Sequence, residues 1–124
     1  MIEFEEIKAR LNALCDNLAE MRGYLDVDNR RAMLERLEEE AAKPDFWNSQ
    51  SAAKENIVKT NAQRAFVKPF DELSRLLDDG ALMVELAEGE EDAASRKQAL
   101  ADVCQIFDKA EGLFSRLRMQ SLLG

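Results

Sequence analysis

The chain contains no histidine. Its absence removes the commonest general acid or base, together with the Glu-x-x-His pairs from which helical bundles build di-metal sites. Two prolines and five glycines in 124 residues are too few for the turn-rich chemistry of a β-sandwich or barrel. The two cysteines, Cys15 and Cys104, form no C-x-x-C pair and sit beside core-type positions. Reduced, buried thiols are therefore expected, not a disulfide or a ligand pair. No apolar run approaches the length of a membrane span, and Met1-Ile2-Glu3-Phe4-Glu5-Glu6 is acidic where a secretory signal would be basic, which points to the cytoplasm. Glycine-rich phosphate loops, nucleophile elbows and EF-hand patterns are missing. Glu38, Glu39 and Glu40 do form a carboxylate run, but consecutive helical positions diverge, so it reads as a solvated face. No cofactor, no metal and no catalysis by this chain are expected.

What is present favours helices. Apolar residues make up 46% and charged residues 34%, the mixture of helices with one buried stripe and a solvated opposite face. Leu, Ala, Glu, Arg, Met and Gln, good helix formers, dominate. A chain of this length is expected to close around one core, as a single helical domain over residues 1–124. Twenty-five acidic against 17 basic residues give a net charge of −8, with no linear cluster of Lys and Arg to track a phosphate backbone. Nucleic acid is therefore not expected as a primary ligand, and no direct sequence-specific nucleic-acid binding is expected. The densest basic spots, Arg30-Arg31 and Arg116-x-Arg118, read as solvated helix faces with carboxylates nearby, and the acidic surface suits basic protein partners.

The spacing predicts an all-α antiparallel bundle of three to four helices with coiled-coil-like seams. Phe4, Ile7, Leu11, Leu14, Leu18, Met21 and Leu25 step by three and four along a first helix, which should break between Gly23 and Asp28. A second helix, from about Asp28 to Ala42 with Met33, Leu34, Leu37 and Ala41 on one side, should stop before Lys43-Pro44. In the connector Pro44–Asn48, Phe46 and Trp47 are expected to fold back and plug the bundle end; an exposed aromatic pair would instead be a docking site. Ser49 or Ser51 can cap a long third helix carrying Ile57, Val58, Ala62, Phe66, Phe70, Leu73, Leu76, Leu77, Val84 and Leu86. Pro69 lies inside it, where one helix kinked at the proline and two shorter helices both fit, and Gly80 is a second weak point. After the acidic loop Glu88–Asp92, a closing helix presents Leu100, Val103, Phe107, Ala110, Phe114 and Leu117. Met119, Leu122 and Leu123 stay apolar up to Gly124, as in a helix that runs toward a further partner. The expected core thus comprises Phe4, Ile7, Leu11, Leu14, Leu18, Leu37, Trp47, Phe66, Phe70, Leu73, Leu77, Leu100, Val103, Phe107, Phe114 and Leu117.

Two short blocks, Arg22-Gly23-Tyr24-Leu25-Asp26 and Pro44-Asp45-Phe46-Trp47-Asn48, lie on either side of a charged helical stretch. With the long third helix and the closing helix, they resemble the amino-terminal domain of the bacterial peptide chain release factor 2 family; the related factor 1 lacks the second block. The resemblance implies a class-one termination factor that reads UGA and UAA. A Ser-Pro-Phe tripeptide and a Gly-Gly-Gln loop carry the chemistry in that family, and neither occurs here. Lys68-Pro69-Phe70 only superficially echoes the tripeptide, so no functional residue of the family carries over. What the resemblance implies for this stretch is a positioning module, directed at the factor-binding region at the base of the ribosomal stalk and linked to a class-two GTPase release factor. The competing reading is a free-standing helical adaptor or coiled-coil oligomerisation module; against it, a monomer is expected.

Overall fold

The computed structural model describes residues 4–123. The acidic start Met1–Glu3 and the terminal Gly124 lie outside the described residues. Four α-helices follow in order: α1 (Phe4–Tyr24), α2 (Val27–Ala41), α3 (Gln50–Glu88) and α4 (Ala93–Leu123), with a 3-10 turn at Phe46–Asn48. Among the described residues there is no strand.

α3 is the spine. Its 39 residues run unbroken through Pro69 and Gly80, which at about 1.5 Å per residue is roughly 58 Å. Proline removes one N–H and so orphans the carbonyl four residues earlier, that of Ala65. The Gln120 side chain on α4 donates to that carbonyl at 2.9 Å, so a neighbouring helix supplies the missing donor. At Gly80 the reason is space. A Cβ there would meet Phe107 Cε1 at 3.0 Å and Ile106 Cγ2 at 3.4 Å, so glycine lets α4 approach closely.

The first two helices lie end to end along this spine. Lys8 of α1 pairs with Glu88 at the far end of α3, whereas on α2 Arg31 pairs with Asp71 at 2.8 Å and Arg64 of α3 pairs with Glu38 at 3.1 Å. Both helices therefore run antiparallel to α3. α4 folds back along α3 as far as Ala65 and makes no close backbone approach to α2 among the described residues. Ile7, Leu14, Met21, Leu25, Val27, Phe66, Phe70, Leu73, Leu77, Val84, Val103, Phe107, Ala110, Phe114 and Leu117 form one buried cluster where α1, α3 and α4 meet. Leu11, Leu18 and Leu100 pack against it half-buried. Phe4 is also half-buried.

The break between α1 and α2 is built from the first sequence block. Asp26 adopts a left-handed conformation (φ 56°, ψ 45°) and its N–H reaches the Gly23 carbonyl at 3.0 Å, which turns the chain. Its side chain does not cap the new helix but accepts from Asn29 Nδ2 at 2.8 Å. Leu25 and Val27, on either side of it, are fully buried. Arg30 then ties the corner to α3. Its guanidinium donates to the Leu25 carbonyl at 2.6 Å and to Gln63 Oε1 at 3.2 Å, and stacks 4.0 Å from the Phe66 ring centroid. It is a half-buried strut, not the solvated cation expected from sequence.

The Arg31–Asp71 pair links α2 to α3 through two bonds, 2.8 and 2.9 Å. Hydrogen bonding from Arg31 holds the Asp71 carboxyl below its ordinary value. A lowered folded-state value means that the contribution is complete above the ordinary carboxylate range and is lost as pH falls through the depressed value. Asp71→Asn should therefore destabilise at pH 7, by less than about 1 kcal/mol because both partners are nearly half exposed. The gap between the two proteins in thermal melts should close as pH drops below about 4.

Candidate functional site

Beyond the three-helix region the molecule continues as a two-helix arm. α4 reaches α3 near Ala65, through Gln120, so α2 and residues 50–61 of α3 pair without it. Pro44 ends α2 shortly before it, since the preceding residue is disfavoured in a helix. The Ala42 N–H returns to the Glu38 and Glu39 carbonyls, and Phe46 N–H to the Lys43 carbonyl at 3.1 Å. Ser49 caps α3, accepting from the Ala52 N–H at 3.3 Å.

The inside of this arm is small and partly polar. Leu37, Phe46 and Ala53 are buried, outside the main core cluster. Asn56, only 4% exposed, donates from Nδ2 to the Leu37 carbonyl at 3.0 Å, and Thr60 Oγ1 donates to Asn56 Oδ1 at 3.3 Å. One buried side-chain hydrogen bond, from Asn56, thus ties α3 to α2 where apolar contact is thin, and Thr60 within α3 orients the amide that makes it. Ile57 and Val58, assigned by sequence to the core stripe, point to solvent instead.

At the end of the arm the expected plug is only half right. Phe46 is buried at 7% exposure, but Trp47 is 66% exposed. In a 3-10 turn successive side chains are about a third of a turn apart, so two adjacent aromatics cannot enter the same space. Trp47 stands on Phe46, ring centroids 4.8 Å apart at 88°, an edge-to-face pair that fixes an apolar surface in water. The core role expected of Trp47 is corrected accordingly.

Other candidates carry less chemistry. Cys15, expected to be buried, is exposed, and Cys104 is half-buried; both are free thiols. The Cys15 thiol is pushed above its ordinary value by partial desolvation and then by Asp16 and Asp78, which suppresses the thiolate. Among the described residues no three His, Cys, Asp or Glu side chains converge as a metal site. Nor is any helix there long and apolar enough to cross a membrane. A further groove lies where α1 and α4 approach each other, lined in part by the exposed Tyr24 and Leu122; Met119 and Leu123 on α4 are also exposed.

The fold is that of an elongated all-helical bundle with an exposed tryptophan at the end of a two-helix arm, a shape suited to contact with another macromolecule. Comparison with known proteins narrows it, because the chain is homologous over nearly its whole length to peptide chain release factor 2, a translation termination factor. It is 35% identical to that factor from Acidithiobacillus ferrooxidans across 98% of this chain, and 31% identical to that from Yersinia enterocolitica across the same share. The Staphylococcus haemolyticus factor is 31% identical across 89%. The chain spans about a third of the length of these relatives: 32%, 33% and 30% respectively. No protein-family model matches it.

Proposed function

We propose that this chain is the amino-terminal helical domain of a UGA- and UAA-dependent release factor, that it works in the cytoplasm, and that it positions the factor at the ribosomal factor-binding region near the stalk base. It catalyses nothing itself, and a class-two GTPase release factor is its natural neighbour there. The observation that carries the reading is the exposed Trp47 at the end of the two-helix arm, in a chain whose homologues terminate translation. An exposed tryptophan packed edge-to-face on a buried phenylalanine has the character of a binding hot spot, because its large apolar surface is buried on docking.

The test is Trp47→Ala, assayed by pelleting the chain with ribosomes. Stability should change by no more than about 0.5 kcal/mol, since the side chain is mostly in water. Ribosome affinity should fall by about 2 kcal/mol, near 30-fold. Unchanged pelleting would remove the tip from the docking role. Sedimentation should find a monomer, and a dimer that persists on dilution would favour an oligomerisation module.

A further inference from the structure

Seventeen cations are spread along the sequence without clustering, and most are engaged by the fold. Lys8, Arg10, Arg22, Arg31, Lys59 and Arg64 pair with carboxylates. Arg30 and Arg96 donate to carbonyls, and Arg118 lies over the Phe114 ring. Eight remain without such a partner among the described residues, and half of those share one face. Lys68 and Arg75 on α3, with Lys109 and Arg116 on α4, line two adjoining grooves of about 410 and 390 Å³. The grooves flank α3, one toward α2 and one toward α4, and they share Glu72 and Arg75.

The paired Arg31 and Arg64 border the same surface. Six cations less the four carboxylates Asp71, Glu72, Asp79 and Glu38, the last paired with Arg64, leave this face at +2, so the rest of a chain of net charge −8 carries −10. The stripe Arg64, Lys68, Arg75 keeps to one side of α3 over about 16 Å, opposite the buried Phe66, Phe70, Leu73 and Leu77. Such a local reversal of sign attracts a polyanion that the whole molecule would repel.

We infer that this α2–α3–α4 face binds the sugar-phosphate backbone of double-stranded RNA, without reading sequence. Among the described residues these four cations have no carboxylate at ion-pair distance, so phosphates can be neutralised without first breaking such a pair; Arg75 lies in addition in the field of Asp71. The apolar residues lining the grooves are Leu34, Val67, Leu76 and Leu113, with no aromatic to stack an unpaired base. A single-strand platform needs such rings, whereas a duplex offers shape and phosphates. The choice of RNA among polyanions rests on the ribosomal reading above.

The experiment measures fluorescence anisotropy of a labelled 20-base-pair RNA duplex titrated with the 124-residue chain. Four engaged cations predict a slope of log affinity against log salt between about −3 and −4, or a loss on the order of 100-fold from 50 to 200 mM salt. This slope is read on the unaltered protein. A variant with Lys68, Arg75, Lys109 and Arg116 changed to Gln should lose at least about 30-fold at low salt, as expected when most of the phosphate contacts go. The matched control changes Arg36, Lys43, Lys54 and Lys97 to Gln, four unpartnered cations outside the grooves, and should bind within about threefold of the unaltered chain. Equal losses in the two variants, or a slope near zero, would overturn the inference. Poly-glutamate competing as well as the duplex would overturn it too, and assign the face to acidic protein. Ribosome pelleting in parallel separates the two readings: pelleting without duplex binding removes this inference alone, and duplex binding without pelleting removes the positioning role alone.

Discussion

Phe107→Ala is expected to cost about 3–5 kcal/mol, a large share of the roughly 5–15 kcal/mol that holds a domain of ordinary stability together. The ring is wholly buried and three helices meet on it. α3 presents Gly80 to its edge, α1 places the Arg10 guanidinium 5.4 Å from its centroid, and α4 carries it. Arg10 is held over the ring by Asp108 at 2.7 Å and Glu111 at 3.1 Å. Removing the ring opens a cavity that the helix backbones cannot close, because α3 and α4 remain in contact on both sides of it. The midpoint of thermal unfolding should drop by roughly 12–20 °C, taking about 4 °C per kcal/mol for a chain of this size. Phe107→Leu should lose much less, under about 1.5 kcal/mol.

A second substitution tests the mechanism. In the natural background Gly80→Ala forces a methyl against the ring at 3.0 Å, and the crowding cancels the helix-propensity gain of about 1 kcal/mol. In the Phe107→Ala background the same change should become stabilising, since the new methyl enters the void. Additive effects of the two changes, or a Phe107→Ala loss under about 1 kcal/mol, would show that the junction is not packed as described.

The legibility of the sequence followed the strength of the local signal. The α1 and α4 seams were readable because Ile7, Leu14 and Met21, and Val103, Phe107, Phe114 and Leu117, keep a helical spacing in apolar residues that are in fact buried. The corners were readable from Gly23–Asp28 and Pro44, whose backbone preferences act locally. The arm was not. Ala53, Asn56 and Thr60 continue the same spacing of three and four, but hydropathy hides two polar residues whose burial depends on the Leu37 carbonyl across the hairpin. Ile57 and Val58 drew the stripe to the wrong side of α3.

Trp47 failed for a related reason. Composition says that an aromatic is usually buried, and only the turn geometry says that two neighbours cannot both be. The basic face was invisible in principle, since residues 31, 64, 68, 75, 109 and 116 become neighbours only after three helices have packed.

Pro69→Ala is expected to raise stability by about 1–3 kcal/mol, an increase where most substitutions bring a loss. Alanine restores the N–H that closes on the Ala65 carbonyl and removes the ring's clash with it. Part of the gain is offset by the greater freedom of the unfolded chain, worth about 0.4–1 kcal/mol. The size of the remainder depends on Gln120. In the natural protein this side chain occupies the Ala65 carbonyl at 2.9 Å, so Gln120→Ala should cost about 0.5–1.5 kcal/mol. Once residue 69 donates its own N–H the carbonyl has a partner within α3, and Gln120→Ala should become nearly neutral. The double-mutant cycle, measured by urea unfolding, should therefore give a coupling of about 0.5–1 kcal/mol between residues that need not touch each other. A cycle that closes to within about 0.3 kcal/mol would mean that the Gln120 bond does not compensate for the proline. In that case the continuity of α3 would have to rest on apolar packing around Phe66 and Phe70 alone.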